Sequence, residues 1–341
     1  MPDLFTTNVL TGVVNSLLSE PVNFLTNSFF PGTQTETTEE IHFDVANDTF
    51  ALAPFVSPVV EGKVMSEIGF TTKTFKPAYI KPKRAFDATG ALKRWKGERY
   101  GGSLSPEQRM MAKINEHLEI DRRSIDRRLE WMASQILQAG SVTISGDLYQ
   151  TTSVSFSRDA ALTITLSGGS KWDQSGVNPL DDLQTWNDIM IQKSGSPIID
   201  VVMGLSAWKT FRSHSEVKSR LDLQRAMTQT PSMTQDAVRQ RGGVYRGSVD
   251  GFNIWTYSEY YKNDSGTVTA MLPAAGVILA GDMMGMKAFG AIQDEAAGFQ
   301  PLPYFTKSWI ANDPPRRFIM TQSAPLLVPY RVNASGYATV V

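Results

Sequence analysis

Histidine and cysteine decide first whether the chain could hold a metal ion or an acid–base pair. No two of the histidines, His42, His117 and His214, have the spacing of metal ligands on one helix or strand. None of them lies in a His-Glu-x-x-His motif. Cysteine is absent, which excludes thiolate nucleophiles, disulfides and thiolate metal sites. We therefore expect no metal centre, and histidines that are packed or exposed individually.

A hydrolase would need an activated nucleophile, and Ser206 is the best candidate. It lies in Gly204-Leu205-Ser206-Ala207-Trp208, where Trp208 occupies the position that a nucleophile elbow gives to glycine. The role of helix N-cap explains Ser206 better. The neighbouring acids Asp181 and Asp182 do not face each other on a helix, so they make a poor acid–base pair. A hydrolase using either feature is the weakest alternative, and we predict neither enzymatic activity nor a cofactor.

Charge is distributed unevenly along a chain whose net charge is only −1. Residues 1–72 contain nine acids and one base, whereas residues 73–99 contain nine bases and two acids. These opposed segments can pair within one subunit, pair between copies, or remain solvated. No run of 18 apolar residues is present, so we expect no membrane partner.

The segment 57–102 contains too few apolar residues to form a core of its own. Its strand-like pattern is interrupted by Pro77 and Pro82, which favours a long protruding β-loop that needs a neighbour for stability. The basic residues beside Trp95 and Tyr100 leave a second interpretation open, a nucleic-acid-binding protein that uses residues 73–99. No recognisable nucleic-acid-binding motif and no overall basic charge support that alternative.

A single long helix is predicted over residues 105–140. Ser105, Pro106 and Gln108 have the spacing of a capped N-terminus, and Gly140 is the expected stop. Apolar residues recur between them at steps of three, four or seven, with a lapse near Asp121. The other faces are charged, which predicts an amphipathic helix rather than a coiled-coil seam.

The remaining chain predicts an α+β fold. Residues 1–38 form an arm with a short helix near Leu10, and the polar stretch 33–40 cannot bury itself. Three alternating segments between Val142 and Leu166 predict antiparallel strands with one buried face. Mixed helices and strands then run from Trp172 to about Ile310. They include a helix over 178–192 capped by Asn178 or Asp181, a central strand over 197–203, a helix from Ser206 to about Leu223, and a hairpin at Asp250-Gly251. A strand over 317–328 would return to the earlier β region for its partner.

This order of parts resembles the major capsid proteins of tailed phages with the Hong Kong 97 fold, and more closely the phage lambda major head protein E family. The resemblance covers residues 54–329. It is carried by short blocks that occur in the same order: Phe55–Pro58, Tyr79–Lys83, Asn178–Asp182, Tyr257-Ser258, Gly290–Asp294, Lys307–Trp309 and Gln322–Leu326.

The resemblance implies a division of the chain and a function. It implies an N-terminal arm (1–56), an extended E-loop (57–102), a peripheral domain (103–171) with a spine helix (105–140), an axial domain (172–312) and returning peripheral strands (313–341). Copies of the chain would assemble in the bacterial cytoplasm into hexamers and pentamers of an icosahedral head that encloses double-stranded DNA. The implied partners are a scaffolding protein, a portal and a decoration protein, and the precursor shell would expand during packaging.

Contacts between subunits are therefore expected where the opposite charges lie. The predicted basic members are Lys81, Lys83, Arg84, Lys93, Arg94 and Lys96. The candidate acidic partners are Glu36, Glu39, Glu40, Glu116 and Glu119. Each exposed ion pair contributes little, but a shell repeats it many times.

Overall fold

The structure is a computed structural model, and it describes most of the 341 residues. The described residues are 6–16, 23–38, 40–46, 70–87, 93, 94, 96, 98, 104–146, 149–220, 239–240, 242–263, 265–311 and 316–341. Much of the predicted β-loop (57–102) and the candidate Glu39 lie outside them. No helix in the described ranges is both long enough and apolar enough to cross a membrane.

The chain contains both helices and strands, which largely occur in separate runs, as expected for an α+β protein. The helices are α1 Thr7–Ser16, α2 Phe24–Phe29, α3 Pro106–Ala139, α4 Pro179–Ser194 and α5 Leu205–Ser213. The strands up to the middle of the chain are β1 Gly32–Thr35, β2 Ile41–Ala46, β3 Phe70–Phe75, β4 Lys83–Asp87, β5 Ser141–Gly146, β6 Tyr149–Ser155, β7 Thr163–Thr165 and β8 Asp200–Met203. The later strands are β9 Arg239–Gln240, β10 Gly243–Val249, β11 Phe252–Tyr257, β12 Tyr260–Lys262, β13 Val268–Ala270, β14 Gly276–Ala280, β15 Gly285–Phe289, β16 Phe305–Ala311, β17 Arg316–Gln322, β18 Pro325–Pro329 and β19 Ser335–Thr339.

Contacts divide the chain into two compact units, and each unit consists of three segments that are not consecutive in the sequence. The first unit comprises Met1–Ile41, Phe75–Met132 and Met286–Leu327. The second unit comprises His42–Thr74, Ala133–Gly285 and Val328–Val341. The five-part division that the resemblance implies stays a prediction.

Helix α3 has the bounds and the caps that its sequence predicts. The Gln108 backbone N–H donates to Ser105 Oγ at 3.2 Å, and the Ser105 N–H donates to Gln108 Oε1 at 2.9 Å. This reciprocal pair satisfies N–H groups that have no partner within the helix. At the other end Gly140 adopts a φ of 64°, a conformation that a side chain disfavours.

The first unit contains a core between α1, α3 and one face of an antiparallel sheet, whose strand order is β16-β17-β4. The apolar side chains of this core come from all three elements: Leu10, Val14, Phe86, Ile114, Leu118 and Ile319. The strand predicted over 317–328 does not return to the β region between Val142 and Leu166. It is two strands, of which β17 pairs with β4 and β16, and β18 lies beside β15. The same unit contains β1, which pairs in parallel with β15, so the polar stretch after Pro31 begins as a strand.

The second unit is built on a seven-stranded sheet of order β7-β19-β14-β8-β11-β10-β9. The predicted central strand is confirmed, since β8 lies between β14 and β11 and its last three residues are fully buried. The predicted hairpin is also confirmed, because β10 and β11 pair around Asp250 and Gly251, which both have positive φ. Asn178, not Asp181, caps α4, and its side chain accepts a hydrogen bond from the Leu180 N–H.

Two predictions in this unit are wrong. The segment near Leu162–Leu166 is not antiparallel to β5 and β6, because β7 pairs in parallel with β19. The helix after β8 begins at Leu205 with Gly204 as its N-cap, so Ser206 is not the cap. A Cβ atom at Gly204 would lie 2.3 Å from the Pro273 carbonyl oxygen, which explains why glycine occupies this position. The helix ends at Ser213, and after a break at His214 residues 215–220 are again helical. The residues beyond 220 that were assigned to it lie outside the described part.

Candidate subunit-interaction surfaces

The candidate Arg84 lies on β4, and the structure places it against helix α3. Its Nε donates to Asp121 Oδ1 at 2.6 Å, and the Asp121 side chain is fully buried. Burial raises the pKa of Asp121, and the hydrogen bond and charge of Arg84 oppose that rise. Arg84 therefore stabilises its own chain, which leaves its predicted role between subunits untested.

Asp121 also explains the lapse in the apolar stripe of α3. It lies three residues after Leu118 and four before Ile125, so it points to the same side as those buried residues. An arginine from another element, rather than solvent, satisfies its carboxylate. An acid at a stripe position is the one sequence signal that indicated a buried ion pair here.

The second basic group, near the start of α3, is also partly satisfied within the chain. Lys96 Nζ lies 2.7 Å from Glu116 Oε1, but the Lys96 side chain is 81% exposed. The hydrogen bond from Lys96 lowers the pKa of Glu116. Arg94 donates to the Glu98 backbone carbonyl at 2.7 Å, and Lys93 is exposed. The structure thus brings one predicted pair together, Lys96 with Glu116, in a single chain.

The remaining acidic candidates do not meet the basic ones in a single chain, among the residues that are described. Glu119 pairs with Arg123 on the next turn of α3. Glu36 is half-buried and accepts a hydrogen bond from Gln34, and Glu40 is exposed.

Lys83 has aromatic rather than acidic neighbours. Its Nζ lies 4.3 Å from the centre of the Phe318 ring and 5.1 Å from that of Trp309. These two rings stack with centroids 5.6 Å apart. Lys81 Nζ similarly lies 4.7 Å from the centre of the Tyr79 ring. A cation over a ring face is attracted by the electron density of the ring.

Sequence reasoning missed a set of contacts that holds the N-terminal segment on α3. Glu130 is buried and accepts hydrogen bonds from the N–H groups of Leu25 and Thr26, both at 2.9 Å, and from the Thr26 hydroxyl at 2.8 Å. Asn23 occupies the N-cap position of α2 but makes no cap hydrogen bond; its amide donates instead to the Asp126 carbonyl at 2.7 Å. Glu130 therefore caps α2 from 104 residues away. No local pattern distinguishes Glu130 from the exposed acids of the helix.

A cavity of about 230 Å³ lies beside these contacts within the first unit. Arg122, Asp126, Lys287 and Tyr304 provide the ionisable part of its lining. Asp126 is mostly buried and accepts a hydrogen bond from the Tyr304 hydroxyl. Burial raises the pKa values of Asp126 and Tyr304 and lowers that of Lys287. These groups stabilise the packing of α3, and they include no pair of exposed nucleophile and base.

The residues first considered for catalysis are separated and have structural partners. His117 packs edge-on against Phe86 with ring centroids 4.9 Å apart, and His42 Nδ1 lies 3.0 Å from Thr74 Oγ1. Asp182 accepts a hydrogen bond from Trp172 Nε1 at 2.8 Å. Within the described ranges no group of three or more histidines and carboxylates could hold a metal ion.

Comparison with known proteins shows the same relatives by sequence and by fold. The family model described as Phage major capsid protein E matches residues 6–340. The major capsid protein of Enterobacteria phage P21 is 30% identical over 336 residues, which is 95% of this chain and 96% of that protein. The major capsid protein of Escherichia phage lambda is 29% identical over 88% of this chain and 89% of that protein.

A solved structure gives the fold independently. The crystal structure described as that of a prophage capsid protein from E. coli CFT073 covers 98% of this chain and 99% of its own, with a TM-score of 0.76 at 24% identity. The fold is therefore the Hong Kong 97 type expected from the resemblance. Because the family model spans nearly the whole described chain, the protein belongs to the Phage major capsid protein E family and is the major capsid protein of a tailed phage.

Proposed function

We propose that copies of this chain form the hexamers and pentamers of an icosahedral head that encloses double-stranded DNA. The observation that carries the proposal is the family match over residues 6–340. The protein would act in the virion, after assembly in the host cytoplasm.

The parts of the chain would then have distinct roles in the shell. The N-terminal arm (1–56) and the E-loop (57–102) reach neighbouring subunits, the spine helix braces the peripheral domain, and the axial domain packs around hexamer and pentamer centres. Phe86 of β4 packs in the core of its own chain, but residues 57–102 have no separate apolar core, and a neighbour would supply buried surface to the loop beyond β4.

Shell maturation would use two arrangements of the same interfaces. A round precursor shell assembles on a scaffolding protein, incorporates a portal, expands as DNA enters, and then binds a decoration protein. Such a transition requires two packings that differ by only about a few kcal/mol for each subunit. The DNA is expected to be held without sequence specificity.

Direct DNA binding by residues 73–99 is the less favoured function. It requires free cationic side chains, and in the described part of the segment Arg84 and Lys96 are already paired with Asp121 and Glu116. It predicts a monomer or dimer that binds DNA with a steep dependence on salt concentration.

The test is electron microscopy and sedimentation of the full-length protein at several concentrations, alone and co-expressed with its neighbouring phage genes. We expect closed shells or rings of five and six subunits. A protein that remains monomeric in both preparations would contradict the proposal, and salt-dependent DNA binding by that monomer would favour the alternative.

A further inference from the structure

The outer face of the β16-β17-β4 sheet has a composition unlike that of a surface exposed only to water. Strand register places Lys83, Phe318 and Trp309 on this face, because Phe318 is opposite Trp309 and Met320 is opposite both Lys83 and Lys307. We call these five residues the lysine–aromatic face. We propose that it binds the acidic turn, residues 36–40, of a neighbouring copy within a ring; this inference rests on the proposed function.

The opposite face of the same sheet packs against helices of its own chain. Phe86 and Ile319 point into the core with α1 and α3, and Arg84 reaches Asp121. Because side chains alternate across a strand, the neighbours of these residues, Lys83 and Phe318, must point away from that core. The sheet therefore has one face that contacts helices of its own chain and one face for which the described residues provide only partial cover.

The cover of the lysine–aromatic face is limited to one end. There Asp294 forms an ion pair with Lys307 and accepts a hydrogen bond from Gln322 at 2.9 Å. Beyond that end the Trp309 and Phe318 rings remain half-exposed, and Lys83 is exposed above them. The structure records no ion pair for Lys83 with any residue that it describes. Aromatic residues and methionine, here Trp309, Phe318 and Met320, are enriched at the centres of protein interfaces.

The acidic turn has the complementary charge and lies within the same unit of each copy. It connects β1 to β2 and has the sequence Glu36-Thr37-Thr38-Glu39-Glu40, with three acids and no base. Glu40 is exposed, and the structure records no ion pair for Glu36 or Glu40 with the described residues. Among the described residues, Lys83 on the face and Glu36 and Glu40 in the turn have no ion pair, so a second copy can match both charges.

A contact between two different surfaces of identical chains is directional. Each subunit offers its face to one neighbour and its turn to the other, and such a contact closes into a ring when the rotation allows it. The same contact could serve rings of five and of six, because both ring sizes need only a face and a turn from every member.

Reciprocal charge reversal in the full-length protein, co-expressed with its neighbouring phage genes, tests this directly. One variant carries Lys81→Glu and Lys83→Glu, with Arg84 kept because it holds Asp121. The other carries Glu36→Lys, Glu39→Lys and Glu40→Lys. We expect each variant to lower the yield of shells about tenfold, and the chain carrying both sets of changes to recover it. Lys209→Glu, an exposed lysine on α5, is the matched control and should assemble normally.

Mixing the two single-set variants gives a sharper result. Each face can then bind only a turn from the other variant, so the two chains must alternate around a ring. Alternation closes with six members but not with five, and electron microscopy should show hexamers without pentamers. Circular dichroism and thermal unfolding of each variant establish that it is folded.

The outcomes separate this inference from the proposed function. Wild-type shells together with normal assembly of both variants would overturn the face–turn contact and leave the capsid function intact. Variants that assemble normally but retain less DNA would assign the lysines to phosphate binding and would equally overturn it. Failure of wild-type protein to assemble in any preparation would contradict the proposed function itself.

Discussion

Replacement of Glu130 by alanine should detach the segment around α2 from the spine helix. The carboxylate is 1% exposed and accepts three hydrogen bonds, two of them from backbone N–H groups. Each buried N–H left without an acceptor costs about 1–3 kcal/mol. Loss of the Thr26 hydroxyl contact adds about 1 kcal/mol. We therefore expect local stability to fall by about 3–7 kcal/mol.

Hydrogen exchange measures this local effect directly. Amide protection at Leu25 and Thr26 should fall by about two to five powers of ten, since about 1.4 kcal/mol corresponds to a factor of ten. Glu119→Ala, an exposed acid of the same helix paired with Arg123, is the matched control and should leave both amides protected. A double-mutant cycle with Thr26→Ala should reveal coupling, because the two side chains are in direct contact. Unchanged protection in Glu130→Ala would refute the assignment of Glu130 as the cap of α2.

Four further changes test the packing and electrostatics of the subunit. Arg84→Ala should lower the free energy of unfolding by about 3 kcal/mol, because it leaves the buried Asp121 unpaired. Lys96→Ala, which removes an exposed ion pair, should leave the chemical-denaturation midpoint unchanged. Equal losses of stability in Arg84→Ala and Lys96→Ala would contradict the distinction between the buried and the exposed ion pair. Burial lowers the pKa of His117 below 6.5, so the unfolded state binds a proton there more readily than the folded state. The free energy of unfolding should therefore fall as the pH drops below 6.5. Chemical denaturation at several pH values should show a weaker pH dependence for His117→Gln. Gly204→Ala should lower the thermal unfolding midpoint, since its Cβ would lie 2.3 Å from the Pro273 carbonyl oxygen. An unchanged midpoint would show that the backbone at Pro273 moves to accommodate the methyl group.

Features encoded by neighbouring residues were predictable from the sequence. The bounds of α3 depend on Ser105, Gln108 and Gly140, which lie at its ends and interact with its own backbone. The hairpin at Asp250-Gly251 is equally local, because its turn requires positive φ at both residues.

Features that depend on distant partners were not predictable in the same way. Glu130 resembles the exposed acids around it until α2 is placed beside it. β7 alternates as β5 and β6 do, but its partner is a strand near residue 337, and alternation carries no information about strand direction. At Gly204 the deciding contact comes from Pro273, so the adjacent Ser206 looked like the better cap.

The candidate surfaces show the same limit. Composition identified the basic and acidic segments, but it could not show that Arg84 is held by Asp121 or that Lys83 lies over two aromatic rings. Those facts depend on the pairing of β4 with β17, which are far apart in the sequence.

The position of β19 inside the seven-stranded sheet has a consequence for how the protein is made. β19 lies between β7 and β14, and the Asp159 N–H donates to the Asn333 side chain across 174 residues of sequence. A ribosome must therefore synthesise residues 335–339 before β7 gains its strand partner. Until then the growing chain has unpaired strand edges, and long-range pairing of this kind is slow. Subunits would thus complete this sheet only after residues 335–339 have been synthesised, which delays the moment at which a subunit becomes competent to join a shell.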